Sequence, residues 1–382
     1  MERANPLNTL FSGKRVYIII GLFLIVSCFL VYRSLTEVKY VPTKEKGTHT
    51  WIDTNKDGVI QSFEMLSDSN GNYQQINATS VFSEIELTTS TLLWIIVALI
   101  FVVFRDLAYM NRVRLFTDGS LTFKRSFITI MLWEFASALT PGVVGGSAVA
   151  LFILNKEGIS MAKSTAIVML STLMDNLFFV IMIPVVLSII SINTMFGEEA
   201  IWMTSIFWIG YTIITSLSIL LFLAVIVYPK LIGNTLLAIT KLKWFKRWKN
   251  SAETFSKEII VTASIMKKKE LVFWLKTFGA TVLAWISRYL IINALVMAFI
   301  SLNALQHIVL LGKQLILWLL MLVSPTPGAS GIAEFAFSEL LRPFSDSLLL
   351  LTCIALLWRL LSYFPYLFIG AIILPKWLKT KK

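Results

Sequence analysis

Two patterns of the form T-P-G-x-x-G interrupt apolar stretches of the chain: Thr140-Pro141-Gly142-x-x-Gly145 and Thr326-Pro327-Gly328-x-x-Gly331. Proline lacks an N–H and its ring opposes the next helical turn, while glycine lets the backbone bend sharply and come close to a ligand. In hydrocarbon, irregular backbone is tolerated only where protein buries it or a watery cavity hydrates it. The helices returning from the breaks, starting near Gly145 and Gly331, aim unpaired N–H groups and a positive dipole end back at each turn. That arrangement suits an anion such as phosphate. One such break reads equally well as a packing kink; two, inserted from opposite faces, favour a functional cavity.

Charged residues inside apolar runs point the same way. Asp175 and Arg359 fall near the centres of their runs, Arg288 somewhat past the centre of its own, Glu134 before the first break and Glu334 after the second. Such groups are costly in lipid, so they pair with one another or line an aqueous path. An Asp175–Arg359 pair is expected, serving either as a structural salt bridge or as part of a path. Trp133 and Trp318 are read as interface anchors without chemistry.

A third motif is of another kind. Asp53 to Glu64 reads DTNKDGVIQSFE, matching the D-x-[DN]-x-[DN]-G-x5-E calcium loop at every position. Asp53, Asn55 and Asp57 supply side-chain oxygens, Val59 a backbone carbonyl, Gln61 a water-mediated contact and Glu64 a bidentate closing carboxylate. A solvated Asx-rich turn is the alternative. Ca2+ is the expected cofactor, bound weakly as in extracellular modules. Asn77-Ala78-Thr79 is a glycosylation tripeptide.

The elements that must position these groups follow from composition. The 382 residues are 57% hydrophobic and 15% charged, with a mean hydropathy of +0.76. Several runs exceed the roughly 18 apolar residues that suggest a transmembrane helix. The expected fold is an all-α polytopic membrane protein with about six full spans (16–32, 88–104, 163–192, 201–228, 271–301 and 347–373). The first run follows Lys14-Arg15 without a small-residue cleavage site and reads as a retained anchor. Cys28 and Cys353 lie in apolar runs and read as buried thiols. The net charge of +12 comes with no basic soluble domain, so no nucleic-acid partner is expected.

Residues 229–270 carry ten Lys/Arg against three Glu, which puts this loop, the 105–125 loop and both termini in the cytoplasm. The acidic 33–87 segment and Glu198-Glu199 then lie outside. This parity holds only if the two broken tracts, 126–154 and 308–341, are re-entrant hairpins rather than full spans. The first enters from the cytoplasm and the second from outside, the pattern of an inverted repeat. The domains are thus the N-terminal anchor 1–32, the extracytoplasmic insertion 33–87, a transmembrane domain 88–375 and a cytoplasmic tail 376–382.

WEFASALTPGVVGGSAVALFILNKEGIS (133–160), the Asp175 span, SPTPGASGIAEFAF (324–337) and the Arg359 span resemble the lysylphosphatidylglycerol synthase transmembrane region, a flippase-like integral membrane family. The likeness covers about residues 88–375 and does not extend to the insertion. In two-domain members this region is the lipid-translocating half, and a soluble aminoacyl-transferase domain follows it; here the sequence stops at Lys382. Carried over by position, Pro141, Gly142, Gly145, Asp175, Pro327, Gly328, Gly331, Glu334 and Arg359 are pathway candidates, to which the residue reading adds Glu134, Thr140, Arg288 and Thr326. One departure is the absence of an acid between the first break and Glu157.

The resemblance implies a translocator of an anionic phospholipid or polyprenyl-phosphate-type lipid in a bacterial or archaeal plasma membrane, and the 53–64 loop adds modulation by calcium from outside. Membrane lipids are the partners, with lipid-synthesis enzymes as candidates. A membrane-embedded lipid-modifying enzyme or accessory subunit, and a calcium-sensing scaffold, are the alternatives. No nucleophile–base pair or metal spacing stands in the spans to favour the enzyme.

Overall fold

The computed structural model describes residues 39–54, 62–76, 88–140, 142–196, 201–241, 249–322, 336–337, 340–345 and 348–379. The 16–32 run with Cys28, the centre of the calcium loop, Asn77 and the whole second T-P-G break lie outside the described residues.

The described chain opens as an antiparallel hairpin of β1 (Lys39–Trp51) and β2 (Met65–Ile76). This two-stranded sheet is an exception to the expected all-α fold, and strands rather than helices flank the calcium-loop motif. The rest is helical: α1 (Thr89–Phe116), α2 (Phe123–Leu139), α3 (Gly142–Lys156), α4 (Met161–Ile189), α5 (Ile192–Phe196), α6 (Ile201–Phe222), α7 (Pro229–Ile239), α8 (Lys249–Lys267), α9 (Leu271–Met297), α10 (Ala304–Leu322), α11 (Leu348–Ser362) and α12 (Phe364–Lys379). Thr88, Thr122 and Ser160 each accept the backbone N–H of the residue three positions on, capping α1, α2 and α4. A π-helical turn over Leu223–Val227 closes α6 just before Pro229, which cannot continue a helix as a donor.

Among the described residues five segments are long and apolar enough to cross a membrane: 89–116, 161–189, 207–227, 271–297 and 353–379. They correspond to five of the six expected spans, with two corrections. The first concerns α1, which runs on to Phe116 instead of ending at 104. Ala108, Tyr109, Met110, Val113 and Phe116 continue its helical repeat into a core shared with Leu154, Ile167, Leu170, Ala284 and Tyr366. At 28 residues it is about 42 Å long, and the expected 105–125 loop shrinks to a short turn. The second concerns the last span, which breaks at Tyr363, before Pro365, and extends to Lys379. Trp377 is buried there, so most of the expected 376–382 tail is helix.

The first broken tract forms a helix pair. Thr140 ends α2 in an extended conformation (φ −100°, ψ 142°), the backbone favoured before a proline, and α3 starts at Gly142. The two helices are 17 and 15 residues, about 26 and 22 Å. Arg125 at the start of α2 lies 3.6 Å from Glu157 just past α3, so the pair begins and finishes at one end of the bundle. Close contact requires glycine: a Cβ on Gly146 would overlap Ser137, and one on Gly370 of α12 would overlap Phe135. The same end is gathered by Asp118 in the α1–α2 turn (φ 54°). It accepts hydrogen bonds from Lys269 (2.5 Å), before α9, and Lys163 (3.4 Å), on α4.

Two outcomes follow from this packing. Gly146→Val forces α2 and α3 apart and lowers stability by about 1–3 kcal/mol, read as a lower unfolding temperature of the purified protein. Partial burial raises the Asp118 pKa, but the Lys269 and Lys163 ammonium groups outweigh it and hold the pKa below its ordinary 3.8. A depressed carboxylate stabilises the fold above the ordinary value and loses that contribution as pH falls through its lowered one. Asp118→Asn is therefore less stable than wild type at neutral pH, and acid unfolding curves of the two converge below about pH 4.

Candidate functional site

Arg105, Tyr109 and Arg112 are spaced four and three residues apart, so they share one face of α1. Thr281, Trp285 and Arg288 repeat that spacing on α9, which lies alongside α1. Small buried residues on α9, Thr277, Ala280, Thr281 and Ala284, let the two backbones approach. The two faces meet with Glu134 of α2, Asp175 of α4 and Tyr366 of α12 between them, collecting three guanidiniums, three carboxylates and a ring of aromatics.

One ion pair is tight. Arg112 donates through Nη1 to Asp175 Oδ1 (2.5 Å) and through Nη2 to Asp175 Oδ2 (3.2 Å), a bidentate fork. Thr281 Oγ1 accepts a further Arg112 bond at 3.1 Å, and Trp285 Nε1 donates to Asp175 Oδ1 at 2.9 Å. The Arg112 guanidinium also lies 4.9 Å from the Tyr109 ring centre.

The neighbouring pairs are looser. Glu134 is shared by two arginines, at 3.4 Å from Arg288 and 4.0 Å from Arg105. Arg105 reaches Asp106 at 3.1 Å and stacks over Tyr366, whose hydroxyl donates to both Asp106 oxygens at 2.9 and 3.0 Å. On α9 and α4 the polar inventory is incomplete. Arg288 Nε, Tyr289 Oη and Asn176 Nδ2 are buried with no hydrogen-bond partner among the described residues. Buried polar groups are nearly always satisfied, so these three call for partners beyond the described side chains.

Of the residues singled out in the sequence, Glu134, Asp175 and Arg288 converge here. Asp175 is bound to Arg112 and not to Arg359, which corrects the expected pair. Arg359 is buried over the rings of Trp358 and Tyr363 at 5.2 and 4.9 Å. Tyr363 donates to the Ala138 carbonyl at 3.0 Å, which brings Arg359 beside the first break. Thr140 caps α2 by donating to Ala136 O at 2.7 Å, and Gly142 and Gly145 lie at the head of α3. Pro141, Thr326, Pro327, Gly328, Gly331 and Glu334 lie outside the described residues. Trp318 is no interface anchor: it stacks on Phe179 at 3.7 Å within the core. Sequence reasoning missed Arg105, Asp106, Arg112 and Tyr366, the first three because they were assigned to a loop. The four- and three-residue spacing of Arg105, Tyr109 and Arg112 is the signal that places them on a helix.

In the insertion, Glu64 is buried and its carboxylate folds back to the start of the motif, accepting from Thr54 N (3.0 Å), Thr54 Oγ1 (3.0 Å) and Trp51 Nε1 (3.1 Å). That is the direction a closing ligand takes toward the first position. Asp53 is described; Asn55, Asp57, Val59 and Gln61 lie outside the described residues.

Residues 72–370 match the family described as Lysylphosphatidylglycerol synthase TM region. The chain belongs to this family. It is also similar to the UPF0104 membrane protein of Archaeoglobus fulgidus, with 28% identity over 312 residues covering 76% of this chain and 90% of that protein. No solved structure matches. The matched region of this lysylphosphatidylglycerol synthase family member contains every residue of the arginine cluster and both breaks. It starts beyond most of the strand hairpin.

The tight pair and the loose ones differ in what their loss costs. Arg112→Met strands the Asp175 carboxylate in the interior, a change worth about 3–5 kcal/mol when a pair is fully buried and somewhat less here because Asp175 keeps 23% exposure. Removing both charges with Arg112→Met/Asp175→Leu costs less than the sum of the single changes. Unfolding measurements on the two singles and the double check this.

Proposed function

We propose that this multi-pass membrane protein translocates an anionic lipid, with Arg105 and Arg288 receiving the headgroup phosphate in place of Glu134. The observation that carries the reading is one carboxylate stretched between two guanidiniums at 3.4 and 4.0 Å, with Arg288 Nε itself unpartnered among the described residues. A phosphate offers more acceptor oxygens than Glu134 and suits guanidinium geometry, so it competes for both arginines and supplies the acceptor that Arg288 Nε lacks. The Arg112–Asp175 fork keeps the surrounding helices in place during that exchange. Family membership supports a lipid-related role in the membrane.

In this reading α2 and α3 are a re-entrant hairpin. The Arg125–Glu157 contact at one end supports it, as do helix lengths of about 26 and 22 Å against a hydrocarbon core of about 30 Å. The second T-P-G tract is its inverted counterpart. Asp118 joining the α1–α2 turn to Lys163 and Lys269 is consistent with one basic, cytoplasmic end, in a plasma membrane with both termini inside.

The test is headgroup accessibility of a fluorescent anionic phospholipid in vesicles carrying purified protein. Arg288→Gln and Arg105→Gln each slow translocation at least tenfold, and Arg288→Lys recovers little because an ammonium lacks the planar fork. Equal rates for wild type and empty vesicles across several anionic lipids would sink the reading.

We further propose that the 53–64 loop binds Ca2+. The Glu64 carboxylate, already directed at the loop start, would exchange its Thr54 and Trp51 donors for the ion, altering the Trp51 environment. Millimolar calcium then changes tryptophan emission in the intact protein, and Glu64→Gln weakens the response at least tenfold. No calcium-dependent change in wild type, with Trp51→Phe as reference, would remove calcium from the account.

A further inference from the structure

Helix α8 carries Lys257 and Glu258 at its middle and is not among the segments apolar enough to span. One face holds it to the bundle. Ala252, Ile259, Ala263 and Met266 are buried along that face, and Ile259 packs on Ala162 and Ala166 in the first turns of α4. Gly233 of α7 comes so close to Ser256 that a Cβ would overlap its hydroxyl.

The opposite face is uncovered. Lys257, Val261, Ile265 and Lys268 are spaced four, four and three residues apart, which stacks them in one stripe. Val261 is 57% exposed and Ile265 49%, with exposed lysines at either end. The Lys268 N–H bonds to the Ile265 carbonyl at 3.2 Å, so the stripe keeps its phase past the last helical residue. Neither lysine forms an ion pair among the described residues, whereas Lys269, next along, is bound to Asp118. The acids of the helix, Glu253 and Glu258, fall to either side of the stripe by helical spacing, and Glu253 lies 3.9 Å from Lys249. Two aliphatic side chains between uncommitted lysines suit a bilayer surface. There the aliphatic groups enter the headgroup boundary, and the lysine stems lie along it with their ammonium groups in water.

Two further observations select lipid as the occupant. The stripe leads, in chain order, into the exposed Leu271, Val272 and Leu275 at the start of the spanning helix α9, where lipid is the surrounding medium. Residues 229–270 also hold ten Lys/Arg against three Glu, a charge complementary to an anionic leaflet. We propose that α8 is a surface helix that docks its Lys257–Lys268 stripe onto the adjoining leaflet in response to negative surface charge, and not to a particular headgroup. A zwitterionic leaflet offers only the apolar contact, and the stripe lifts from it. This inference needs the chain to be a membrane protein and is independent of lipid transport.

The experiment places a nitroxide singly at Val261, Ile265 or Leu283 in the full chain carrying Cys28→Ala and Cys353→Ala, reconstituted one copy per lipid nanodisc. Leu283, exposed on α9, is the lipid-facing control. Collision with oxygen, which concentrates in lipid, is compared with collision with a water-soluble nickel chelate. The discs hold phosphatidylcholine alone, or phosphatidylcholine mixed to equal charge with phosphatidylserine or with a sulfonated glycolipid that has no phosphate. The oxygen-to-nickel ratio at Val261 and Ile265 rises at least fivefold from the neutral disc to either anionic one. Salt at about 1 M, where the Debye length is about 3 Å, reverses the rise. Lys257→Gln/Lys268→Gln flattens the response at both sites, and Leu283 reports lipid throughout.

Labels at Val261 and Ile265 that stay in water in every disc overturn the docking, and labels that sit equally in lipid in every disc overturn its dependence on charge. A response to phosphatidylserine without one to the sulfonated lipid makes this a headgroup site and overturns the surface-charge reading. Should the cysteine-free chain fail to fold, hydrogen exchange of the wild-type chain makes the same comparison: amides over 257–268 exchange more slowly in both anionic discs, or the proposal falls. Both readouts are silent on translocation, so charge-dependent docking in a chain that moves no lipid refutes transport and leaves this inference standing.

Discussion

The architecture depends on one constraint: an arginine on a lipid-spanning helix has to find an anion inside the protein. Moving an ion of this size out of water costs several kcal/mol even after relaxation, more than most single packing contacts return. Arg112 meets that demand with a bidentate carboxylate, a threonine oxygen and an aromatic face. Those partners come from α4, α9 and α1 itself. Once the fork forms, the rotation of α1 is fixed, Trp285 is drawn to Asp175, and the small face of α9 must lie along α1. The aromatic stack of Phe178, Phe179, Trp285 and Trp318 then carries the same alignment across to α10.

Glycine and small residues do the complementary work of letting charged and broken elements come close enough to pair. Gly146 brings α3 onto α2, Gly370 brings α12 onto Phe135, and Gly312 brings α10 onto the end of α4. In hydrocarbon there is no hydrophobic drive to press helices together, so contact distance has to come from side-chain size. The positions of these glycines therefore decide which polar groups meet. Gly370 sits one turn after Tyr366, whose hydroxyl completes the Arg105–Asp106 pair.

Much of this was legible in the sequence. Hydropathy alone located five of the described spans, and Thr140-Pro141 marked the α2–α3 break to the residue, because proline and its predecessor carry strong local backbone preferences. Glu134, Asp175 and Arg288 were recognisable as facing protein partners because a charge in an apolar run is too costly to leave facing lipid. Arg105 and Arg112 were not, since the positive-inside rule reads arginines that follow an apolar run as cytoplasmic. The rule weighs composition and is blind to phase; the helical spacing of Tyr109, Val113 and Phe116 was the competing signal. Partner choice was illegible for a similar reason: Asp175 and Arg359 occupy matching places after the two breaks, but only the three-dimensional packing shows Arg112 to be nearer. The strands flanking the calcium-loop motif contradict its usual helical surroundings, because a twelve-residue ligand pattern specifies a loop and says little about what leads into it.

The contrast between the two kinds of ion pair is the feature most telling for mechanism. A group meant to hold the fold together benefits from short, bidentate, fully accompanied contacts, which is how Arg112 and Asp175 are arranged. A group meant to hand over its partner needs an interaction weak enough to be replaced without exposing a bare charge. Glu134 meets that condition by lying 3.4 and 4.0 Å from two arginines, so either guanidinium can turn toward a new anion while the other retains the carboxylate. Both kinds stand on the same helices, with Arg105 and Arg112 two turns apart on α1, so the frame would stay rigid during the proposed exchange. On the proposed reading, an anionic headgroup crossing the membrane by this route would never leave one cation before reaching the next, and that continuity would lower the barrier that bare hydrocarbon imposes.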